Sequence, residues 1–138
     1  MAVLKGIERG MIMKAVKVVI AVVALASAPA AVAENLINYS EDANGRLYYY
    51  DSDTIRTVNG GYITVWTVQD GSRDRTVSWR TKRVLWQIDC DGMQSGAVSF
   101  AEYDANGRLL DSDSWSPSMT PDVPRSVGYS LVEAVCGK

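Results

Sequence analysis

The stretch Lys82-Arg83-Val84-Leu85-Trp86-Gln87-Ile88-Asp89-Cys90 decides the fold. Val84, Trp86, Ile88 and Cys90 alternate with Arg83, Leu85, Gln87 and Asp89. That period-two pattern belongs to a β-strand with one buried face. Extended backward to Thr76, the alternation changes phase, because Val77 and Trp79 have the other parity. A strand that changes phase needs a bulge or a bend, placed here between Arg80 and Arg83.

Outward from this stretch the pattern stays β. Leu47-Tyr48-Tyr49-Tyr50 follows the turn pair Asn44-Gly45, and Tyr62 to Val68 follows Asn59-Gly60-Gly61. Asp70-Gly71-Ser72 breaks the chain. Gly96 to Tyr103 and Arg108 to Ser112 form a hairpin around Asn106-Gly107, a pair suited to a type I′ turn. Pro117, Pro121 and Pro124 predict an irregular connection over Ser116 to Pro124. Val127, Leu131 and Val135 then recur at helical spacing, with Val132 beside them, up to Gly137. Gly128 weakens that helix by about 1 kcal/mol relative to alanine. The expected fold is α+β: a single antiparallel sheet with one C-terminal helix packed on it.

Residues 1–33 read as an export signal. Lys14 and Lys17 precede an apolar run from Val18 to Val32, and Ala31-Val32-Ala33 fits a signal-peptidase site. Translation starting at Met11 or Met13 would leave this signal intact. The apolar core of about 15 residues is short of the ~20 that span a bilayer, so no stable membrane anchor is expected after cleavage. No cysteine lies near the cut, which excludes lipid-modified export. The remaining residues 34–138 suffice for one domain, periplasmic or secreted. Cleavage takes four of the 14 basic and one of the 16 acidic residues, leaving 10 and 15. That acidic balance argues against a nucleic-acid partner.

Cys90 and Cys136 are the two cysteines of the chain. In an oxidising compartment an even count suggests one disulfide, tying the helix end to the strand. The competing reading, a metal pair, would need carboxylates to complete the ligand set. The hexapeptide Asp42-Ala-Asn-Gly-Arg-Leu47 recurs as Asp104-Ala-Asn-Gly-Arg-Leu109. Its ligand spacing fails that of an EF-hand calcium loop. The favoured reading is two hairpin turns sharing one turn chemistry.

Catalytic signatures are sparse. The chain has no histidine, so the commonest general base is missing. The paired aspartates Asp51/Asp53, Asp89/Asp91 and Asp111/Asp113 sit at strand ends beside small polar residues rather than against apolar walls. No enzyme, cofactor or metal is expected. Against the acidic background, Arg73, Arg75, Arg80, Lys82 and Arg83 cluster within eleven positions, interleaved with Trp79 and Trp86. Arg73, Arg75, Trp79, Arg80, Lys82 and Arg83 are the candidate partner-binding residues, since Trp and Arg are enriched at interface centres. Alternatively, the arginines guard an edge strand against aggregation while the tryptophans fill the core.

Tyr49-Tyr50-Asp51 with Ile55-Arg56, the Gly60-Gly61 turn, Val65-Trp66, the Lys82–Cys90 strand, Tyr103 with Asn106-Gly107, and a proline-rich approach to Val135-Cys136 occur in an order that resembles the bacterial surface-adhesin protein E-like family. The resemblance covers nearly all of residues 34–138. It implies an antiparallel sheet carrying one helix, a Cys90–Cys136 bridge, and an envelope protein related to one that binds host matrix proteins. Two departures are the missing lipid-anchor cysteine and a Gly92–Gly96 segment without arginine. The function expected is an exported, non-enzymatic, adhesin-like domain recognising a protein or glycan. The alternative is a periplasmic inhibitor or accessory protein of an envelope enzyme such as lysozyme, drawn by its acidic charge to a basic enzyme.

Overall fold

Asn-Gly turns and short loops fold the chain into successive antiparallel hairpins. The computed structural model describes residues 34–138, and the expected export signal over residues 1–33 lies outside the described residues. The strands are β1 (Leu36–Glu41), β2 (Leu47–Asp51), β3 (Arg56–Thr57), β4 (Ile63–Asp70), β5 (Thr81–Asp89), β6 (Gln94–Tyr103), β7 (Leu109–Ser114) and β8 (Thr120–Pro121), followed by helix α1 (Val127–Cys136). They form one 8-stranded sheet in the order β1-β2-β4-β5-β6-β7, with β3 added to β4 and β8 to β6.

Register explains which side chains are buried. Val65 lies opposite Trp86, Thr67 opposite Val84, and Ile63 opposite Ile88. On a pleated sheet these share one face, and α1 lies on it. Val65, Ile88, Leu131 and Val132 form the buried centre, flanked by Tyr39, Tyr50, Ile55, Trp86, Met93 and Val135. Each such aliphatic side chain contributes roughly 1.5–3 kcal/mol through burial. Thr67, also buried, satisfies its hydroxyl by donating to the Val84 carbonyl (3.1 Å) and accepting from Trp86 Nε1 (3.2 Å).

The helix is fixed at both ends. Ser126 Oγ caps it by accepting from the Tyr129 amide. Gly137 closes it in the left-handed conformation at φ 69°. Cys136 is bonded to Cys90 with Cα atoms 5.6 Å apart, which excludes the metal-pair reading. Gly128 has a packing reason: a Cβ there would come within 2.4 Å of Asp122 Oδ1.

The structure corrects several expectations. The phase change before Thr81 comes from a loop over residues 71–80, so β5 begins at Thr81 and carries no internal bulge. The extra residue sits on the neighbouring strand, where Leu85 pairs with Ser99 and Trp86 with Ala97. The Asn-Gly turns are not type I′, which requires positive φ at both central residues. Gly45 and Gly107 have φ of 83° and 79°, whereas Asn44 and Asn106 do not enter that region. Each glycine amide instead donates to the aspartate carbonyl three residues earlier at 3.1 Å, the three-residue loop that ends in a glycine bulge. In both copies the aspartate Oδ1 accepts from the Asn and Arg amides at 2.9–3.0 Å. The repeated hexapeptide is turn chemistry. Finally, β5 lies between β4 and β6, so the basic cluster does not protect an edge strand.

Candidate partner-binding site

The loop over residues 71–80 folds back on the sheet around Trp79. Gly71 permits this, since a Cβ there would meet the Trp79 ring at 2.8 Å. The ring is 8% exposed. The Arg46 guanidinium lies 4.9 Å from its centroid and the Lys82 ammonium 5.9 Å away. Asp74 organises the loop from inside. Its Oδ1 accepts from the Thr76 amide (2.9 Å) and hydroxyl, and its Oδ2 accepts from Arg46 Nε (3.0 Å) and Nη2 (2.8 Å). These Thr76 hydrogen bonds, and then Arg46, hold the Asp74 carboxyl below the ordinary carboxylate range.

The candidate residues therefore separate. Trp79 is a packing residue. Lys82, on the helix-bearing face, pairs with Glu102 at 3.3 Å and lies 5.0 Å from the Phe100 ring centroid. Arg83, on the opposite face, pairs with Glu34. Arg73, Arg75 and Arg80 are exposed. Arg80 and Arg83 meet across Thr81 at a hollow of about 430 Å³, walled by Tyr103, Asp104 and Gly107. On the neighbouring strand, opposite Thr81, burial raises the Asp70 carboxyl, but Ser72 hydrogen bonds with Arg80 and Arg73 nearby bring it under its ordinary value.

Arg46, Asp74, Tyr103 and Asp104 belong to this region and are absent from the sequence-predicted set. Arg46 has no distinguishing signal, since Arg108 occupies the same place in the repeated hexapeptide. Asp74 sits between Arg73 and Arg75, where it resembles a solvated charge. Among the described residues no group of three or more His, Cys, Asp or Glu side chains is placed to hold a metal ion. No helix among them is long and apolar enough to cross a membrane.

Comparison with known proteins agrees with this architecture. Crystal form II of Haemophilus influenzae protein E superposes with a TM-score of 0.59 at 18% identity, covering 79% of this chain and 92% of that one. A second structure of Haemophilus influenzae protein E gives 0.55 at 19%, covering 79% and 89%. Protein E from non-typeable Haemophilus influenzae gives 0.53 at 18%, covering 79% and 80%. At these identities the likeness shows the fold. No curated protein sequence matches the chain. The family described as Surface-adhesin protein E matches residues 36–137, and this chain belongs to that family.

Proposed function

We propose that this chain is an exported, non-enzymatic binding domain that recognises a protein or glycan through the Arg80–Arg83 hollow. Exposed Arg73 and Arg75 on the adjoining loop supply the surrounding positive field. The observation that carries this reading is the hollow itself. Arg80 and Arg83 come together there, with Tyr103 as an aromatic wall. Arginine and tyrosine supply interface energy through planar donors and large rigid contact area. Trp79 is engaged within the domain, Lys82 pairs with Glu102 on the other face of the sheet, and Arg83, though paired with Glu34, keeps its more exposed side chain at the hollow. Membership of a family of surface adhesins supports a host partner, and a matrix protein is the class proposed.

The test is binding of the purified protein to immobilised matrix proteins, sulfated glycans and lysozymes, each at low and moderate salt. Saturable binding to a matrix protein or glycan is expected to weaken with salt, because exposed charges are screened beyond about 10 Å at 0.1 M. Arg80→Glu with Arg83→Glu should abolish it, while Lys82→Glu should lower stability and spare binding. Undiminished binding by the double variant would remove this site from the proposal. Binding to a lysozyme alone would move the protein to the inhibitor class. Export belongs to the same proposal, and mass spectrometry of the exported protein should find an N-terminus at Glu34.

A further inference from the structure

β7 lies at one end of the sheet, and among the described residues no strand pairs with its outer side. The Trp115 amide donates to the Val98 carbonyl at 2.9 Å, in line with the pairs Asp113–Phe100 and Asp111–Glu102. In an antiparallel ladder every second residue bonds the neighbouring strand, so Asp111 and Asp113 turn their backbone groups toward β6. Ser112 and Ser114 turn theirs outward. Both outward amides are capped from within: Ser112 donates to Asp111 Oδ1 at 2.9 Å and Ser114 to Asp113 Oδ1 at 2.8 Å. The outward carbonyls of the same two residues face solvent as acceptors. Exposed apolar side chains flank these rungs, Leu110 before them and Trp115 after.

The two aspartates decide what can pair here. Their side chains share one face of the sheet, opposite Glu102 and Phe100, and both are exposed. Neither forms an ion pair among the described residues, and Lys82, in the same cross-strand row as Asp111, is committed to Glu102. A second copy of the chain is a poor occupant. Two-fold pairing of β7 with itself, centred on Asp111, Ser112 or Asp113, sets aspartate directly against aspartate, and like charges so placed are destabilising. A neutral strand would have to break both caps while giving the carboxylates nothing in return.

We infer that the outer edge of β7 binds an extended basic segment of another protein, added antiparallel as a further strand, with lysine or arginine at two positions separated by one residue. The added strand exchanges hydrogen bonds with Ser112 and Ser114. Its residues opposite Asp111 and Asp113 then fall in the non-hydrogen-bonded pairs, where facing residues approach closest, with Cα atoms about 4.5 Å apart. Cations at those positions meet the two carboxylates and draw them off the serine amides, which become free to donate to the newcomer's carbonyls. The charge that shuts this edge to a copy of the same chain opens it to a basic segment. A longer segment would also cover Leu110 and Trp115. Main-chain hydrogen bonds supply the attraction common to all strand additions, and the alternate side chains supply the choice. The surface is independent of the arginine hollow, which selects the opposite charge.

Titration of the isotope-labelled protein with an acetylated, amidated threonine heptapeptide carrying lysine at its third and fifth positions, followed by amide chemical shifts, tests the inference. Saturable shifts are expected at Ser112, Ser114 and Trp115, with a Kd of about 0.1–1 mM for so short a segment. A peptide of the same composition with its two lysines adjacent should bind about fivefold more weakly, since one lysine then points to the other face. Glutamate in place of both lysines should abolish binding. Ser112→Pro removes one outward amide and leaves the ladder to β6 intact, so it should weaken the lysine peptide about fivefold while the spectrum stays dispersed. Asp111→Asn with Asp113→Asn should weaken it by a similar factor. Equal binding of the two lysine isomers, shifts confined to residues away from β7, absence of saturation, or unchanged affinity in either folded variant would overturn the inference. Concentration-dependent pairing of the protein with itself through Ser112 and Ser114 would overturn it as well.

Discussion

The two copies of Asp-Ala-Asn-Gly-Arg-Leu share a sequence and a turn geometry, yet they serve the molecule differently. In the first, Arg46 reaches Asp74, Gln69 and the Trp79 ring, and Asp42 Oδ2 accepts from the Tyr48 hydroxyl at 3.0 Å. In the second, Arg108 is exposed, as are Leu109 (58%) and Leu110 (51%) on the outer strand β7. The turn chemistry is local and fixes only the backbone. What the arginine does depends on whether a loop, here residues 71–80, arrives to meet it.

The disulfide sets the scale for any test of that contrast. Cys136→Ser opens a loop with a sequence separation of 46 and should lower stability by about 4 kcal/mol, moving the melting midpoint down by well over 10 °C. An unchanged midpoint would mean the bridge contributes nothing. Arg46→Ala should come next, with a fall of more than about 5 °C, because it leaves Asp74 buried without its cation. Arg108→Ala should stay within about 3 °C, as for an ordinary surface change. Equal falls for the two arginines would break the comparison.

Acid sharpens it further. A carboxyl held below its ordinary value, as Asp74 is, contributes stability above the unfolded-state pKa of about 3.9 and loses it as pH falls through the folded-state value. Melts from pH 7 to pH 2 should therefore drop steeply below about pH 4 in the wild type. Asp74→Asn, less stable at neutral pH, should drop less over the same range. The smallest effects belong to the glycines. Gly45→Ala and Gly107→Ala each force alanine into the left-handed region, costing about 1 kcal/mol. Gly45→Ala should be slightly worse, since its Cβ would press on Arg73 Cβ at 3.3 Å while that of Gly107 meets nothing.

The sheet, the helix and the Cys90–Cys136 tie were legible because periodicity, turn residues and paired cysteines are local signals. β1 escaped because Asn38, Ser40 and Glu41 give an outer strand little apolar alternation. β3 and β8 are too short for any pattern. The basic cluster was legible as composition but not as geometry. Its residues diverge because a loop precedes Thr81 and because neighbouring strand residues point to opposite faces. The outward rungs of β7 were invisible for a different reason: which backbone groups face out follows from the pairing with β6, which only tertiary structure assembles.

The Cys90–Cys136 bond also determines how the domain carries load. Tension applied at Lys138 enters Cys136 within two residues and passes directly to Cys90, at the end of the central strand β5. β6, β7, β8 and α1 lie on a closed branch that the pulling force bypasses. Roughly 160 Å of extended chain is thereby withheld from stretching, from a separation of 46 residues at about 3.5 Å each. Under such a pull the domain is in effect a short tether with a shielded half.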